Sequence, residues 1–143
     1  MIDKRVLDKA KSYLSWDLQE PVSIQLVAID RAVAYFYPPQ NKLSSIIVLY
    51  EGGCNDFSRP LFLLFHEMGH HVQYNHYQNE GRSDQYWQLL NADSGMMKCR
   101  FEEEAWEYGA ELLGKFAKDT GSIRPETIQH YRHYAEECVS SYR

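Results

Sequence analysis

The sequence predicts an α+β domain in which a small three-stranded sheet lies beside a helical C-terminal half. The order of elements is the first reason: one amphipathic helix, then three short β-rich segments, then helices only. The second is size, since 143 residues of which 44% are hydrophobic can bury a core without disulfides. No linker, repeat or low-complexity tract interrupts the chain. We therefore expect residues 1–143 to form a single domain.

The N-terminal half begins with a helix over residues 3–18, where apolar side chains recur at three- and four-residue intervals: Val6, Leu7, Ala10, Leu14 and Leu18. Pro21 ends this helix. Strands are predicted at 22–26, 32–37 and 43–50, because these segments are rich in β-branched and aromatic residues. Pro38-Pro39-Gln40-Asn41 predicts the turn between the last two strands.

The C-terminal half begins with a loop over residues 51–56, after which Ser58 can cap a helix that takes Pro60 in its first turn. The run Leu61–Phe65 is apolar on all sides, so this helix should pass through the centre of the domain. A short helix is expected at 84–90, a strongly periodic helix at 101–116 and a last helix from Pro125 to about Ser140.

Composition narrows the classes of function. The net charge of -5 argues against direct nucleic-acid binding, which needs concentrated Lys and Arg. No apolar run approaches the ~20 residues of a membrane span, and the first residues do not resemble a secretory signal, so a cytoplasmic protein without a membrane partner is expected. Three widely spaced cysteines, Cys54, Cys99 and Cys138, predict reduced thiols.

The segment His66-Glu67-Met68-Gly69-His70 contains the residues that indicate a metal site with a catalytic base. Residues four apart lie on one face of a helix, so His66 and His70 can bind a single metal ion. Glu67 lies about 100° round the helix, where it can accept a proton from a water that zinc activates. Gly69 costs about 1 kcal/mol in mid-helix relative to Ala. A close packing contact or substrate approach is expected at this glycine.

A catalytic zinc needs a third protein ligand, and the sequence offers two routes to it. His76 has the spacing of a metzincin, with Met96 or Met97 as the Met-turn, but that pattern requires glycine where this chain has Gln73. If the helix continues, His76 faces away from the metal.

The second route is an acidic residue of the helix predicted at 101–116. Glu102 falls on its apolar stripe, whereas Glu103 and Glu104 fall on the flanks and are predicted to be solvated. The stripe comprises Phe101, Ala105, Tyr108, Gly109, Leu112, Leu113 and Phe116. Glu102 is favoured as the third ligand, and His76 remains the alternative.

In these two segments the chain resembles the ImmA/IrrE family of zincin-like metallopeptidases. There a His-Glu-x-x-His helix precedes a helix of the form Glu-x-x-Ala-x-x-Phe-Ala-x-x-Leu-Leu, which here reads Glu102, Ala105, Tyr108, Gly109, Leu112 and Leu113. The resemblance implies a zincin-like domain with a gluzincin-type site: one Zn²⁺ per chain on His66, His70 and Glu102, and Glu67 as catalytic base. It also implies hydrolysis of an intracellular protein or peptide substrate, since members of the family can cleave DNA-binding repressors.

Two other functions are compatible with the same residues. A zincin fold can serve as a catalytically inactive regulatory or binding module, with the eleven tyrosines and three tryptophans marking an interface. Zinc can also serve stability alone, which requires a fourth protein ligand. The group that would stabilise an oxyanion is left open among His71, His130, His133 and the tyrosines.

Overall fold

We describe the protein from a computed structural model, which covers residues 1–39 and 43–143. The helices are α1 (Lys4–Ser12), α2 (Ser58–Asn79), α3 (Ser83–Asn91), α4 (Met96–Thr120) and α5 (Pro125–Ser140). The strands are β1 (Val22–Ile29), β2 (Val33–Tyr37) and β3 (Ser44–Glu51). The predicted α+β class is confirmed. Of the predicted turn between the last two strands, Gln40 and Asn41 lie outside the described residues.

The N-terminal helix is shorter than predicted, because α1 ends at Ser12 and a single π-helical turn occupies Tyr13–Asp17. The Asp3 side chain caps α1 by accepting a hydrogen bond from the Val6 amide at 3.2 Å. Of the predicted apolar face, three side chains are buried and two are half-buried. The buried ones are Leu7, Ala10 and Leu14, and the half-buried ones are Val6 and Leu18.

The three strands form a mixed sheet in the order β1-β3-β2, with β1 parallel and β2 antiparallel to β3. Ile24 and Phe36 flank Ile46 in register, and all three are buried on the face that α2 covers. β1 extends three residues beyond the predicted end at 26. The added residues, 27–29, pair with the last three residues of β3.

Helix α2 passes through the centre of the domain, as its all-round apolar character predicts. It begins at Ser58, so the prediction that Ser58 precedes the helix as its cap is wrong. Asp56 Oδ1 instead accepts hydrogen bonds from the Ser58 amide at 3.1 Å and from its hydroxyl at 2.7 Å. Within the described ranges, no helix has the length and apolar character needed to cross a bilayer.

Helix α4 begins five residues before the predicted position, at Met96, directly after Gly95. Gly95 has a φ of 110°, a backbone conformation that favours glycine, so it marks the point where the chain enters the helix. Met96 and Met97 lie exposed in the first turn of α4. They therefore do not form the Met-turn that a metzincin would require.

Two glycines allow α2 and α4 to cross in close contact. A Cβ atom on Gly69 would overlap the carbonyl oxygen of Ala105, and one on Gly109 would lie 2.5 Å from the carbonyl oxygen of Phe65. The mid-helix glycine of the histidine motif therefore has a packing role. The crossing also brings Glu102, one turn before Ala105, up to the motif on α2.

Replacing Gly69 by Ala should destabilise the fold by about 1–3 kcal/mol, because the added methyl group overpacks the contact between α2 and α4. Gly114→Ala is the matched control: Gly114 also lies within a helix, but its Cβ would meet no atom within 4 Å. That substitution should stabilise by up to about 1 kcal/mol through helix propensity. Urea denaturation measures both, and equal stabilities of the two variants would contradict the close crossing.

Candidate metal centre

The crossing of α2 and α4 brings together the three residues predicted as ligands. Ligand atoms of His66, His70 and Glu102 all lie within 4.8 Å of one another. His70 Nε2 is 2.9 Å from one Glu102 carboxylate oxygen, and His66 Nε2 is 3.7 Å from the other. Two histidines from one helix and a carboxylate from the next thus converge on one point.

The rings of the two histidines are fixed by their neighbours. His66 stacks on Trp106 with 4.0 Å between the ring centroids, and His70 packs against Phe101 at 5.4 Å. The side chains of His66, His70 and Glu102 are only 4–8% exposed. Buried imidazoles and a buried carboxylate are costly unless their charges and lone pairs are matched, so this cluster requires a compensating partner.

The hydrogen bonds of His70 indicate what that partner is. Its Nδ1 faces the Gln73 side-chain oxygen at 2.9 Å and must donate, which leaves the Nε2 lone pair directed at Glu102. That Glu102 oxygen has no hydrogen-bond partner, and neither does the buried Nδ1 of His66, among the described residues. Two lone-pair atoms 2.9 Å apart need a cation between them, either a proton or a metal ion. Two imidazoles and one carboxylate are a ligand set of catalytic zinc.

The charges of the cluster are strongly coupled. Burial alone would raise the pKa of Glu102, but His70 and His66 overcome this effect and hold that pKa well below its usual range. Burial likewise opposes a charge on His70, yet the nearby Glu102 carboxylate raises the pKa of His70. Without a metal, a proton on His70 therefore pairs with Glu102. A metal ion that binds here has to displace that proton.

Glu67 lies next to the three residues but outside the group that could hold an ion. Its side chain is buried. Burial raises the pKa of Glu67, although the charges of the adjacent His66 and His70 act in the opposite direction. A carboxylate with a raised pKa beside a metal position is suited to accept and return a proton.

The alternative third ligand lies elsewhere. α2 continues without a turn to Asn79, so His76 is exposed and its ring stacks on Tyr108 with the centroids 5.3 Å apart. Glu103 is exposed, as predicted. Glu104 is exposed as well, as predicted, and it also accepts a 2.8 Å hydrogen bond from Gln73. In the part of the chain that the structure describes, no fourth His, Cys, Asp or Glu joins the group.

The histidines considered for an oxyanion role have other environments. His71 is buried, where its two ring nitrogens bond the Ser44 hydroxyl at 2.8 Å and the Glu20 carboxylate at 3.1 Å. His130 and His133 are exposed side chains of α5, and His133 lies 3.2 Å from Glu137. These three residues therefore have structural or surface roles in this fold.

Tyr142 lies beside the first turn of α4, and no feature of the sequence selects it among the eleven tyrosines. Its carbonyl oxygen accepts a hydrogen bond from Gly95 at 3.1 Å, and its ring lies 5.4 Å from the Lys98 ammonium. Burial raises the pKa of Tyr142, and so does the negative charge of Glu102. Tyr142 therefore packs against the start of α4, the helix that carries Glu102.

Comparisons of this chain with protein-family models, with curated proteins and with solved structures find no match. The chain's own residues define what the site can do chemically. They supply two nitrogen donors, one carboxylate and a second carboxylate outside the ligand group.

Proposed function

We propose that this chain is a zinc-dependent metallopeptidase, in which His66, His70 and Glu102 hold one Zn²⁺ and Glu67 is the catalytic base. The observation that carries the proposal is the convergence of three ligand atoms within 4.8 Å, with Glu67 directly following one ligand in the sequence. The resemblance of both helices to the ImmA/IrrE family of zincin-like peptidases supports the same reaction.

Each residue has a role in the proposed reaction that suits its position. When bound, zinc acidifies a water molecule and polarises the carbonyl group of the substrate. Glu67 accepts the proton of the attacking water and passes it to the nitrogen of the leaving amine. The stacked ring of Trp106 holds His66, and the hydrogen bond to Gln73 holds His70, so that both imidazoles direct a lone pair at the metal position.

The substrate class we propose is an intracellular protein, with DNA-binding repressors as the first candidates because the resemblance points to them. The chain carries a net charge of -5, which does not favour contact with the nucleic acid itself. Recognition is therefore expected to involve the protein substrate alone.

Zinc loading and peptide cleavage test the proposal together. Native mass spectrometry should find one zinc ion per chain, and the loaded protein should cleave members of a complex peptide mixture. A chelator should abolish cleavage, and added zinc should restore it. A fully loaded protein that cleaves no peptide or candidate repressor would contradict the peptidase proposal and favour a binding module. A protein that takes up no zinc would remove its basis.

A further inference from the structure

Gln73 is the most deeply buried polar residue near the cluster, with a side chain that has no exposed surface. It lies three residues after His70 on α2 and faces α4. A buried amide requires partners for both its oxygen and its nitrogen. Gln73 finds three such partners, and two of them belong to the other helix.

The orientation of the amide follows from these partners. The Gln73 nitrogen lies 2.8 Å from the carbonyl oxygen of Phe101 and 2.8 Å from a carboxylate oxygen of Glu104. Both partners can only accept, so this atom must be the NH₂ group that donates twice. The amide oxygen then faces His70 Nδ1 at 2.9 Å and accepts its hydrogen. The tautomer of His70 is thus determined by two acceptors on α4.

The same amide also connects the two helices that supply the ligands. It contacts His70 on α2 and the carbonyl of Phe101, the residue directly before Glu102 on α4. Gln73 therefore ties the backbone directly before Glu102 to the imidazole of His70, whose Nε2 lies 2.9 Å from the Glu102 carboxylate.

We propose that Gln73 is a positioning residue for the metal centre, which holds His70 with its Nδ1 protonated and its Nε2 directed at the ion. The inference rests on the proposed metal centre and goes beyond it, since it assigns a role to a residue that binds neither metal nor substrate. Outer hydrogen-bond partners of this kind fix the ring of a ligating histidine and increase its basicity.

Gln73→Met tests the role with a side chain of similar length that accepts no comparable hydrogen bond. Zinc affinity, measured by competition with a chromophoric chelator, should fall by about 10- to 100-fold. Gln78→Met is the matched control, since it makes the same change on an exposed residue of α2, and it should leave zinc affinity unchanged. If Gln73→Met binds zinc as tightly as the wild type, or Gln78→Met weakens binding equally, the assignment is overturned.

A measurement on the wild-type protein tests the role of Gln73 even if the Gln73→Met variant does not fold. Nitrogen-15 NMR of the zinc-loaded chain should show a protonated, slowly exchanging Nδ1 and a metal-bound Nε2 for His70. The opposite assignment of the two nitrogens would overturn the proposal. Failure of the peptidase proposal looks different: zinc binding and its dependence on Gln73 would persist without cleavage. A wild-type protein that binds no zinc would overturn both the metal centre and this role.

Discussion

Replacing Glu67 by Gln is expected to reduce peptide cleavage by about 10²- to 10⁴-fold while one zinc ion remains bound. The amide has nearly the shape of the carboxylate but cannot accept the proton of the attacking water. Glu67 lies outside the group of ligand atoms, so zinc affinity should change little. Cleavage rates under single-turnover conditions and zinc content by mass spectrometry measure the two effects separately.

Glu103→Gln is the matched control, since it makes the same chemical change on an exposed residue beside Glu102. Its cleavage rate and zinc content should equal those of the wild type. Full activity of the Glu67→Gln protein would exclude Glu67 as the base. Loss of zinc from that protein would instead indicate that Glu67 is a ligand, in contradiction to the geometry of the group.

The Glu67→Gln protein also separates a peptidase from a binding module. An inactive peptidase that retains zinc should hold its substrate without cutting it, so a captured partner can be added to the wild-type protein. Cleavage of that partner by the wild type supports the enzyme. A partner that both proteins bind and neither cleaves would support a regulatory module.

The position of Glu102 could be predicted because the periodicity of one helix determines which side chains share its buried stripe. Phe101, Ala105 and Leu113 are buried as that periodicity requires. The start of α4 was predicted too late, because residues before Phe101 lack the apolar repeat and only Gly95 marks the entry to the helix.

Contacts between helices are what the sequence alone could not provide. From the sequence, Gln73 is only a residue unsuited to a metzincin turn, because its partners lie on α4 and depend on the crossing at Gly69 and Gly109. The contact of Tyr142 with Gly95 likewise depends on how α5 returns along α4. In β1, the alternation of apolar and polar residues is broken at Val27, so the sequence does not predict that residues 27–29 belong to the strand. Their pairing with β3 shows that they do.

Replacing Glu102 by Ala should lower zinc affinity by more than about 100-fold, because a direct ligand is removed. Loss of an outer hydrogen-bond partner lowers metal affinity by only about 10- to 100-fold. The zinc-free protein should also lose stability, by about 1–3 kcal/mol, since the buried Nε2 of His70 would lose the carboxylate partner 2.9 Å away. Chelator competition measures the affinity, and urea denaturation of the zinc-free protein measures the stability.

His76→Ala is the control that discriminates the two candidate third ligands. Its ring is exposed and stacks on Tyr108, away from the cluster, so zinc affinity should be that of the wild type. A metzincin-type site would give the reverse pattern, with zinc weakened by His76→Ala and retained by Glu102→Ala. If both variants bound zinc normally, the third ligand would have to come from another residue. Weakening by Glu102→Ala alone would establish a His-His-Glu site built from two crossing helices.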